Sequence, residues 1–176
     1  MPKRGSTCLA FEPIRTTFAS LVQNCRANPQ LNISALNLAL GAHSAQIAMT
    51  ALPESGINHI HREPSDSLGP TQSAFQLSLD QLKLSDLSGL HGKLVIKIDV
   101  EHHELEVLRG ASETLRINQP LALCIEAAPN ELAAIIPLLG SNFQPIEPPY
   151  HPGFQRSPER NIYNHFFVNQ LWQSEE

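Results

Sequence analysis

One stretch, residues 93–111, constrains the fold more than any other part of this chain. Residues 93–100 form a mostly apolar run of the kind that builds parallel strands covered on both faces. The run contains Asp99 near its end, Glu101 follows, and apolar residues then recur at helical spacing. Ligands bind where such strands end in an open α/β sheet. We therefore predict an α/β fold in which residues 93–100 are a buried strand in the middle of the sheet, with a site at its carboxyl end.

Strand and helix patterns alternate along the rest of the chain, which implies a sheet with right-handed crossovers and mainly parallel strands. A length of 176 residues suits one domain, residues 1–176. The last predicted strand is expected to pair with residues 143–146. The further strands are predicted at 7–11, 33–40, 46–52, 75–79, 121–125 and 161–169, the helices at 14–25, 80–87, 105–115 and 130–139, and the longer loops at 53–73 and 145–158.

Charge and hydropathy exclude two classes of partner. The formal net charge is −5, and the 12 lysines and arginines are scattered, which argues against a basic nucleic-acid surface. No apolar run approaches the roughly 18 residues that span a bilayer, and the apolar run near the amino end is too short for a signal peptide. We therefore expect a cytoplasmic protein that binds neither a nucleic acid nor a membrane.

Glu12 stands directly after the first predicted strand. An acid in this place in a nucleotide-binding α/β fold accepts hydrogen bonds from the ribose hydroxyls of the ligand. An acid is also favoured in the first turn of a helix, where the helix dipole stabilises its charge. The residues alone leave both interpretations open.

Asp99 and Glu101 lie two residues apart after the strand at 93–100. Such acids can bind the amino group of a cofactor, orient an acceptor, or take its proton as a general base. The alternative is a helix amino terminus that is merely enriched in acids. Glu126 ends the strand predicted at 121–125 beside the same crevice, but no motif assigns it a role.

His102 and His103 adjoin Glu101 and Glu104, and such a set can bind a divalent cation. Adjacent residues of a helix point about 100° apart, so the two rings rarely bind one metal. We expect surface histidines and no metal site.

Several segments in chain order resemble the FkbM-type S-adenosylmethionine-dependent methyltransferases. The resemblance covers about residues 7–168 and is most specific in the segment that runs from Lys97 to Glu101. The matching segments are Phe11-Glu12-Pro13, Asn24 and Asn28, Ala39-Leu40-Gly41, Leu79-Asp80, Lys97-Ile98-Asp99-Val100-Glu101, Leu108-Arg109-Gly110-Ala111, and Pro120 with Glu126.

The resemblance implies a Rossmann-like methyltransferase sheet with an antiparallel carboxyl-terminal strand. It implies methyl transfer from S-adenosylmethionine to a hydroxyl of a sugar or a secondary metabolite, so that the acceptor is a small molecule or a glycan. It places Glu12 on the cofactor ribose, Asn37 and Ala39 near the adenine, and Asp99 near the reaction centre. Asp99 and Glu101 are then the candidate catalytic bases.

The chain departs from this family pattern at two places. The family has a strand, a glycine-rich turn and a helix ahead of Glu12, where this chain has residues 1–6, so we predict a fold that lacks the first strand-loop-helix unit. The family has glycine at the position of His102. A second hypothesis is therefore a non-catalytic remnant or an interaction module completed by another chain. A nucleotide-binding hydrolase ranks lower, because no phosphate-binding loop or nucleophile motif is present.

Overall fold

The computed structural model describes residues 6–52, 58–60, 69–83, 93–118, 120–146 and 163–172. Strands and helices follow each other much as the sequence patterns predict. In chain order they are β1 Thr7–Phe11, α1 Arg15–Ala27, β2 Asn32–Leu36, β3 Ala39–Leu40, β4 Ala45–Thr50, β5 Thr71–Leu77, β6 Val95–Ile98, α2 Glu104–Arg109, α3 Ser112–Asn118, β7 Ala122–Ala127, α4 Leu132–Leu139, β8 Phe143–Ile146 and β9 Tyr163–Asn169, with 3₁₀ turns at Asp80–Leu82 and Gln170–Trp172.

Four predicted elements differ from the structure. The helix predicted at 105–115 is divided at Gly110 into α2 and α3, and the described part of the helix predicted at 80–87 is the 3₁₀ turn Asp80–Leu82. The strand predicted at 33–40 is divided into β2, which pairs with β1, and β3, which pairs with β5. The end of the loop predicted at 53–73 is already strand from Thr71. Most of that loop, the last part of the helix predicted at 80–87, and residues 147–158 of the second loop lie outside the described residues.

The strands form three hydrogen-bonded groups, β1-β2, β3-β5-β4 and β6-β7-β9-β8. Three of the six strand pairs are parallel, namely β1–β2, β3–β5 and β6–β7, and the other three are antiparallel. The predicted antiparallel carboxyl-terminal strand is therefore confirmed, and so is its pairing with residues 143–146. The prediction of a mainly parallel sheet is wrong for the described residues, because the short link between β3 and β4 cannot carry a crossover and β4 pairs antiparallel with β5.

The position predicted for the strand at 93–100 is also wrong. In the described part of the chain β6 pairs with β7 alone, and it lies at the edge of the four-stranded group. Val95 is 61% exposed, and Lys97 on the same face of the strand is exposed as well. A lysine within a strand is a common feature of sheet edges, because its charge disfavours pairing with another chain.

The main core lies between the inner face of the β6-β7-β9-β8 group and the helices α2, α3 and α4. Its most deeply buried members are Leu108, Leu123, Ile125 and Ile135, each no more than 1% exposed. Residues of β1, including Phe11, pack against this cluster from the neighbouring sheet. No helix among the described residues is long and apolar enough to span a membrane.

Asp80 caps a helix that begins 32 residues later in the chain. Its Oδ1 accepts a hydrogen bond from the backbone N–H of Thr114 at 2.7 Å, and its Oδ2 accepts one from the N–H of Glu113 at 3.0 Å. The hydroxyl of Ser112 also donates to Oδ2 at 3.4 Å. These donors belong to the first turn of α3, whose amide groups have no partner within the helix. The Leu79-Asp80 segment of the family resemblance therefore fixes α3 against the 3₁₀ turn.

We expect Asp80→Ala to lower the free energy of unfolding by about 1–2 kcal/mol, the usual range for a lost helix cap. The amide groups of Glu113 and Thr114 would lose their carboxylate acceptor, and Thr114 is buried. Urea unfolding followed by circular dichroism measures the change. Glu113→Gln is the matched control, because that exposed side chain contacts only Arg116 on the helix surface. Equal stability of Asp80→Ala and the wild type would show that the cap is dispensable.

Candidate active site

Three carboxylates meet where β6 and β7 end. The two strands are parallel, and Ile98 pairs with Ile125, so the next residues, Asp99 and Glu126, lie side by side. Glu101 follows in the turn after β6. One carboxylate oxygen from each of these three residues lies within 4.8 Å of the others. The structure thus brings together both predicted catalytic acids and adds Glu126, whose position beside the crevice was predicted without a role.

Lys97 balances part of this negative charge. Its ammonium group forms an ion pair with Oδ2 of Asp99. Burial alone would raise the pKa of Asp99, but the hydrogen bond with Glu126 and the contact with Lys97 together lower it. The hydrogen bond with Asp99 and then burial raise the pKa of Glu126 to about 7. The two neighbouring carboxyl groups are therefore shifted in opposite directions.

The turn between β6 and α2 holds two residues in the left-handed region of backbone space. Glu101 has φ of 48° and His102 has φ of 66°. Glycine adopts such values without strain, whereas other residues pay about 1–3 kcal/mol each. The turn thus keeps at His102 the conformation expected of the family's glycine, although the residue is different.

Polar contacts on both sides hold this turn in place. Nδ1 of His102 lies 3.6 Å from a carboxylate oxygen of Glu131. Nε2 of His103 lies 3.1 Å from Oε1 of the buried Gln76, whose amide group donates to the backbone carbonyl of His43. Glu104, which is 4% exposed, accepts a hydrogen bond from the N–H of Val100. The two histidine rings therefore contact different elements and do not converge on one point.

Two adjoining cavities open beside the carboxylates. The smaller is lined by Glu101, His102, Glu104, Glu126, Ala127 and Glu131. The larger, of about 320 Å³, lies between α2 and α4 and shares three of these residues, His102, Glu104 and Glu131. Of the three carboxylates, Glu101 and Glu126 line the smaller cavity, and Asp99 is not among the residues that line either one.

The carboxylates of Asp99, Glu101 and Glu126 are close enough together to bind one divalent cation. The described residues already compensate the charge in another way, since Lys97 pairs with Asp99 and a hydrogen bond joins Asp99 to Glu126. A second feature that selects a metal, such as a converging histidine, is not found among the described residues. We therefore treat the cluster as a carboxyl site.

Glu12 caps the chain segment that leads into α1. Its Oε1 accepts a hydrogen bond from the N–H of the buried Ile14 at 2.7 Å. Burial raises the pKa of Glu12 above its ordinary value. Within the described residues no hydrogen bond reaches the second oxygen, Oε2. Glu12 lies ahead of α1, whose first turn contains no acid, so the helix-dipole interpretation is wrong, and binding of a ligand by Glu12 stays a prediction.

Asn37 and Ala39 lie where β2 passes into β3. The amide group of Asn37 donates to the backbone carbonyls of Glu12 at 2.8 Å and Pro13 at 3.1 Å. Ala39 is 6% exposed and pairs with Gln76 of β5. The Asn37 side chain is therefore joined to the backbone of Glu12. The cofactor contacts of Glu12, Asn37 and Ala39 stay predictions.

The residues predicted to bind the cofactor are spread over all three groups of strands, and one of them, Asp99, is also predicted to be catalytic. Glu12 follows β1 of the β1-β2 pair, whereas Asp99 follows β6 of the four-stranded group. Phe11 before Glu12 and Val100 after Asp99 nevertheless pack against the same core cluster. The carboxyl ends of β1 and β6 are thus connected through the core rather than through a shared ladder of hydrogen bonds.

Comparisons with known proteins identify relatives of this chain. The model of the methyltransferase FkbM domain matches residues 2–143. A protein called methyltransferase 1 from Beauveria bassiana (strain ARSEF 2860) is 30% identical over 124 residues, which cover 61% of this chain and 50% of that protein. The crystal structure of methyltransferase FkbM from Methylobacillus flagellatus KT superimposes with a TM-score of 0.57 at 15% identity, covering 93% of this chain and 36% of that chain. The chain therefore spans about half of one relative and about a third of the other.

Proposed function

We propose, since this chain belongs to the FkbM methyltransferase family, that it uses S-adenosylmethionine to methylate a hydroxyl group of a sugar or a secondary metabolite. The observation that carries the proposal is the group of three carboxylates where β6 and β7 end, two of which, Glu101 and Glu126, line a small cavity that adjoins one of about 320 Å³ between α2 and α4. A cavity of this size suits a small molecule or one unit of a glycan. Both acids predicted to be catalytic, Asp99 and Glu101, belong to this group.

The donor set of the described residues fits the cofactor. When bound, S-adenosylmethionine supplies a methyl group on a positively charged sulfur. Oε2 of the half-buried Glu12 would accept hydrogen bonds from ribose hydroxyls, and Asn37 and Ala39 at the β2–β3 junction would lie near the adenine, as the family resemblance implies. The carboxylates of Asp99 and Glu101 provide negative charge for a cationic ligand.

The residues of the chain would contribute position and charge to the reaction. The α2–α4 cavity would hold the acceptor with its hydroxyl towards the carboxylates, and fixing two reactants in this way supplies much of a catalysed rate. One carboxylate would accept the proton of that hydroxyl as the oxygen becomes a nucleophile. Lys97 would keep Asp99 ionised and in place through their ion pair.

The open edge of β6 favours a second candidate function, a non-catalytic interaction module completed by another chain. Val95 and Lys97 are exposed there, and the edge has no strand partner among the described residues. Calorimetric titration with S-adenosylhomocysteine separates the two candidates. Saturable binding supports the methyltransferase, and transfer of label from methyl-labelled S-adenosylmethionine to simple methyl glycosides then tests the acceptor class. Absence of binding and of transfer would favour the interaction module.

We expect Glu12→Ala to weaken the binding of S-adenosylhomocysteine by about 1.5–3 kcal/mol, or roughly 10–150-fold, the range for hydrogen bonds to a charged group. Removing the carboxylate deletes the acceptor for the ribose hydroxyls. Isothermal titration calorimetry measures the change, and circular dichroism verifies that the variant is folded despite the lost contact with Ile14. Glu113→Ala, on the exposed surface of α3, should bind as the wild type does. Unchanged affinity in a folded Glu12→Ala variant would remove Glu12 from the cofactor site.

A further inference from the structure

We propose that Asp99 and Glu126 form a proton-sharing pair in which the proton resides on Glu126. Glu126, and neither Asp99 nor Glu101, is then the group that takes the proton from the acceptor hydroxyl. The location of the proton on Glu126 is argued from the geometry of β6 and β7. The role of Glu126 as the group that takes a proton from the acceptor rests on the function proposed above.

The register between β6 and β7 places Asp99 and Glu126 side by side. Ile98 and Ile125 are paired and buried, with their side chains on the core face. Side chains alternate between the faces of a strand, so the next residues, Asp99 and Glu126, both point to the opposite face. Neighbouring strands are about 4.8 Å apart, which brings the two carboxyl groups within hydrogen-bond reach. One carboxylate oxygen of Asp99 lies within 4.8 Å of one of Glu126.

One nearby cation decides which carboxyl group ionises first. Two carboxyl groups in contact resist ionising together, and an adjacent positive charge favours ionisation of the group that it touches. The ammonium of Lys97 contacts Oδ2 of Asp99. Asp99 is therefore the carboxylate of the pair, and Glu126 is the protonated partner, whose hydroxyl donates to Asp99.

The groups facing Glu126 reinforce this assignment. Glu101 adds a second negative charge that disfavours ionisation of Glu126. The pKa of Glu126 accordingly rises to about 7, first through the hydrogen bond with Asp99 and then through burial. The titratable or charged groups around Glu126 are Lys97, Asp99 and Glu101 beside it, Cys124 on its own strand, Tyr163 and His165 on β9, and His102, Glu104 and Glu131 around the cavity.

A carboxyl group of this kind suits a general base, because the best catalytic pKa lies near the working pH. With a pKa raised to about 7, the ionised form of Glu126 is accessible near neutral pH and can accept a proton. The acceptor's O–H bond then breaks, and its proton moves to Glu126. The electron pair left on the oxygen forms the bond to the methyl group, while the pair of the methyl–sulfur bond returns to the sulfur. The proton later leaves Glu126 for solvent.

The location of the proton is tested by carbon NMR on the whole chain labelled at its aspartate and glutamate carboxyl carbons. We expect one glutamate resonance to titrate with a pKa of about 7, and this resonance should be absent from Glu126→Gln. In Asp99→Asn the same resonance should titrate close to the ordinary glutamate value of 4.5. Glu113→Gln is the control and should leave the titration near 7 unchanged.

Two NMR results would overturn the pair. One is a Glu126 resonance that titrates in the ordinary glutamate range in the wild type. The other is a titration near 7 that persists unaltered in Asp99→Asn. Millimolar magnesium chloride should leave the titration in place, and its loss on adding the salt would show that a cation rather than a proton compensates the charge.

The role of Glu126 as proton acceptor is tested by measuring methyl transfer from methyl-labelled S-adenosylmethionine to the same methyl glycosides. The wild-type rate should rise with pH through about 7, and Glu126→Gln should lower it roughly 100-fold or more, without loss of S-adenosylhomocysteine binding. A wild-type rate and pH profile in Glu126→Gln would refute the role as proton acceptor. If cofactor and glycosides yield no methyl transfer at all, the proposed function fails and this role with it, while the NMR titration still decides where the proton lies.

Discussion

Gly110→Ala is expected to destabilise the protein by about 3 kcal/mol, at the upper end of the usual penalty for overpacking. A Cβ atom at this position would overlap the carbonyl oxygen of Gly41 and lie 2.9 Å from both the carbonyl carbon of Gly41 and Cβ of Ser78. Backbone atoms cannot rotate away as a side chain can, so α2 and β3 would have to separate. At roughly 2–4 °C per kcal/mol for a chain of this size, the melting temperature should fall by about 10 °C.

The close approach between Gly110 and Gly41 packs the end of α2 against the end of β3. The carbonyl of Gly110 accepts a hydrogen bond from the N–H of Asp80 at 2.9 Å, and the N–H of Gly41 donates to Leu77 at 3.0 Å. The control is Gly69→Ala, because its new Cβ would meet only the far end of the Leu52 side chain, at 2.7 Å. Differential scanning calorimetry should show a large loss for Gly110→Ala and a small one for Gly69→Ala. Similar melting of the two variants would show that α2 and β3 are not closely packed.

The sequence predicted the local parts of the fold well, because local patterns carry them. The alternation of strand and helix, the turn from β6 into α2 and the capped end of α4 all follow from periodicity and from residues such as Gly140. Pairing between strands was harder to predict, because it depends on residues far apart in the chain. The short link before β4 was a local sign of an antiparallel pair, and Lys97 within β6 was a sign of an edge strand, but neither outweighed the apolar run at 93–100.

In the candidate site, too, the contacts that depend on strand pairing were harder to predict than single residues. Asp99 and Glu101 were recognised from their position after a strand, whereas the contact of Asp99 with Glu126 depends on the register between β6 and β7. The signal for Glu126 was available, since it is an acid at the end of the adjacent parallel strand. For Glu12 the sequence leaves two interpretations open; Oε1 binds the N–H of Ile14 ahead of α1 rather than the first turn of the helix, and the cofactor role stays a prediction. Contacts between neighbouring strands therefore determine which carboxyl groups meet at the site, and single motifs do not predict these contacts.

Ile125→Ala is expected to lower the free energy of unfolding by about 2–5 kcal/mol, the range for removing most of a buried isoleucine side chain. Ile125 is fully buried in β7, where it pairs with Ile98 of β6 and with His165 of β9. Truncation leaves a cavity in the middle of the core that α2, α3 and α4 cover, and the paired strands on both sides restrict its collapse. The cost should therefore lie well above that of a surface substitution.

The matched control is Val95→Ala, which also shortens a β-branched side chain in the same group of strands. Val95 is 61% exposed at the edge of β6, so its truncation removes little buried apolar surface and should change stability by no more than about 0.5 kcal/mol. Urea unfolding of the two variants under one set of conditions compares them directly. A large loss in Val95→Ala would mean that the edge of β6 is covered in solution, whereas a small loss in Ile125→Ala would mean that β7 is not at the centre of the core.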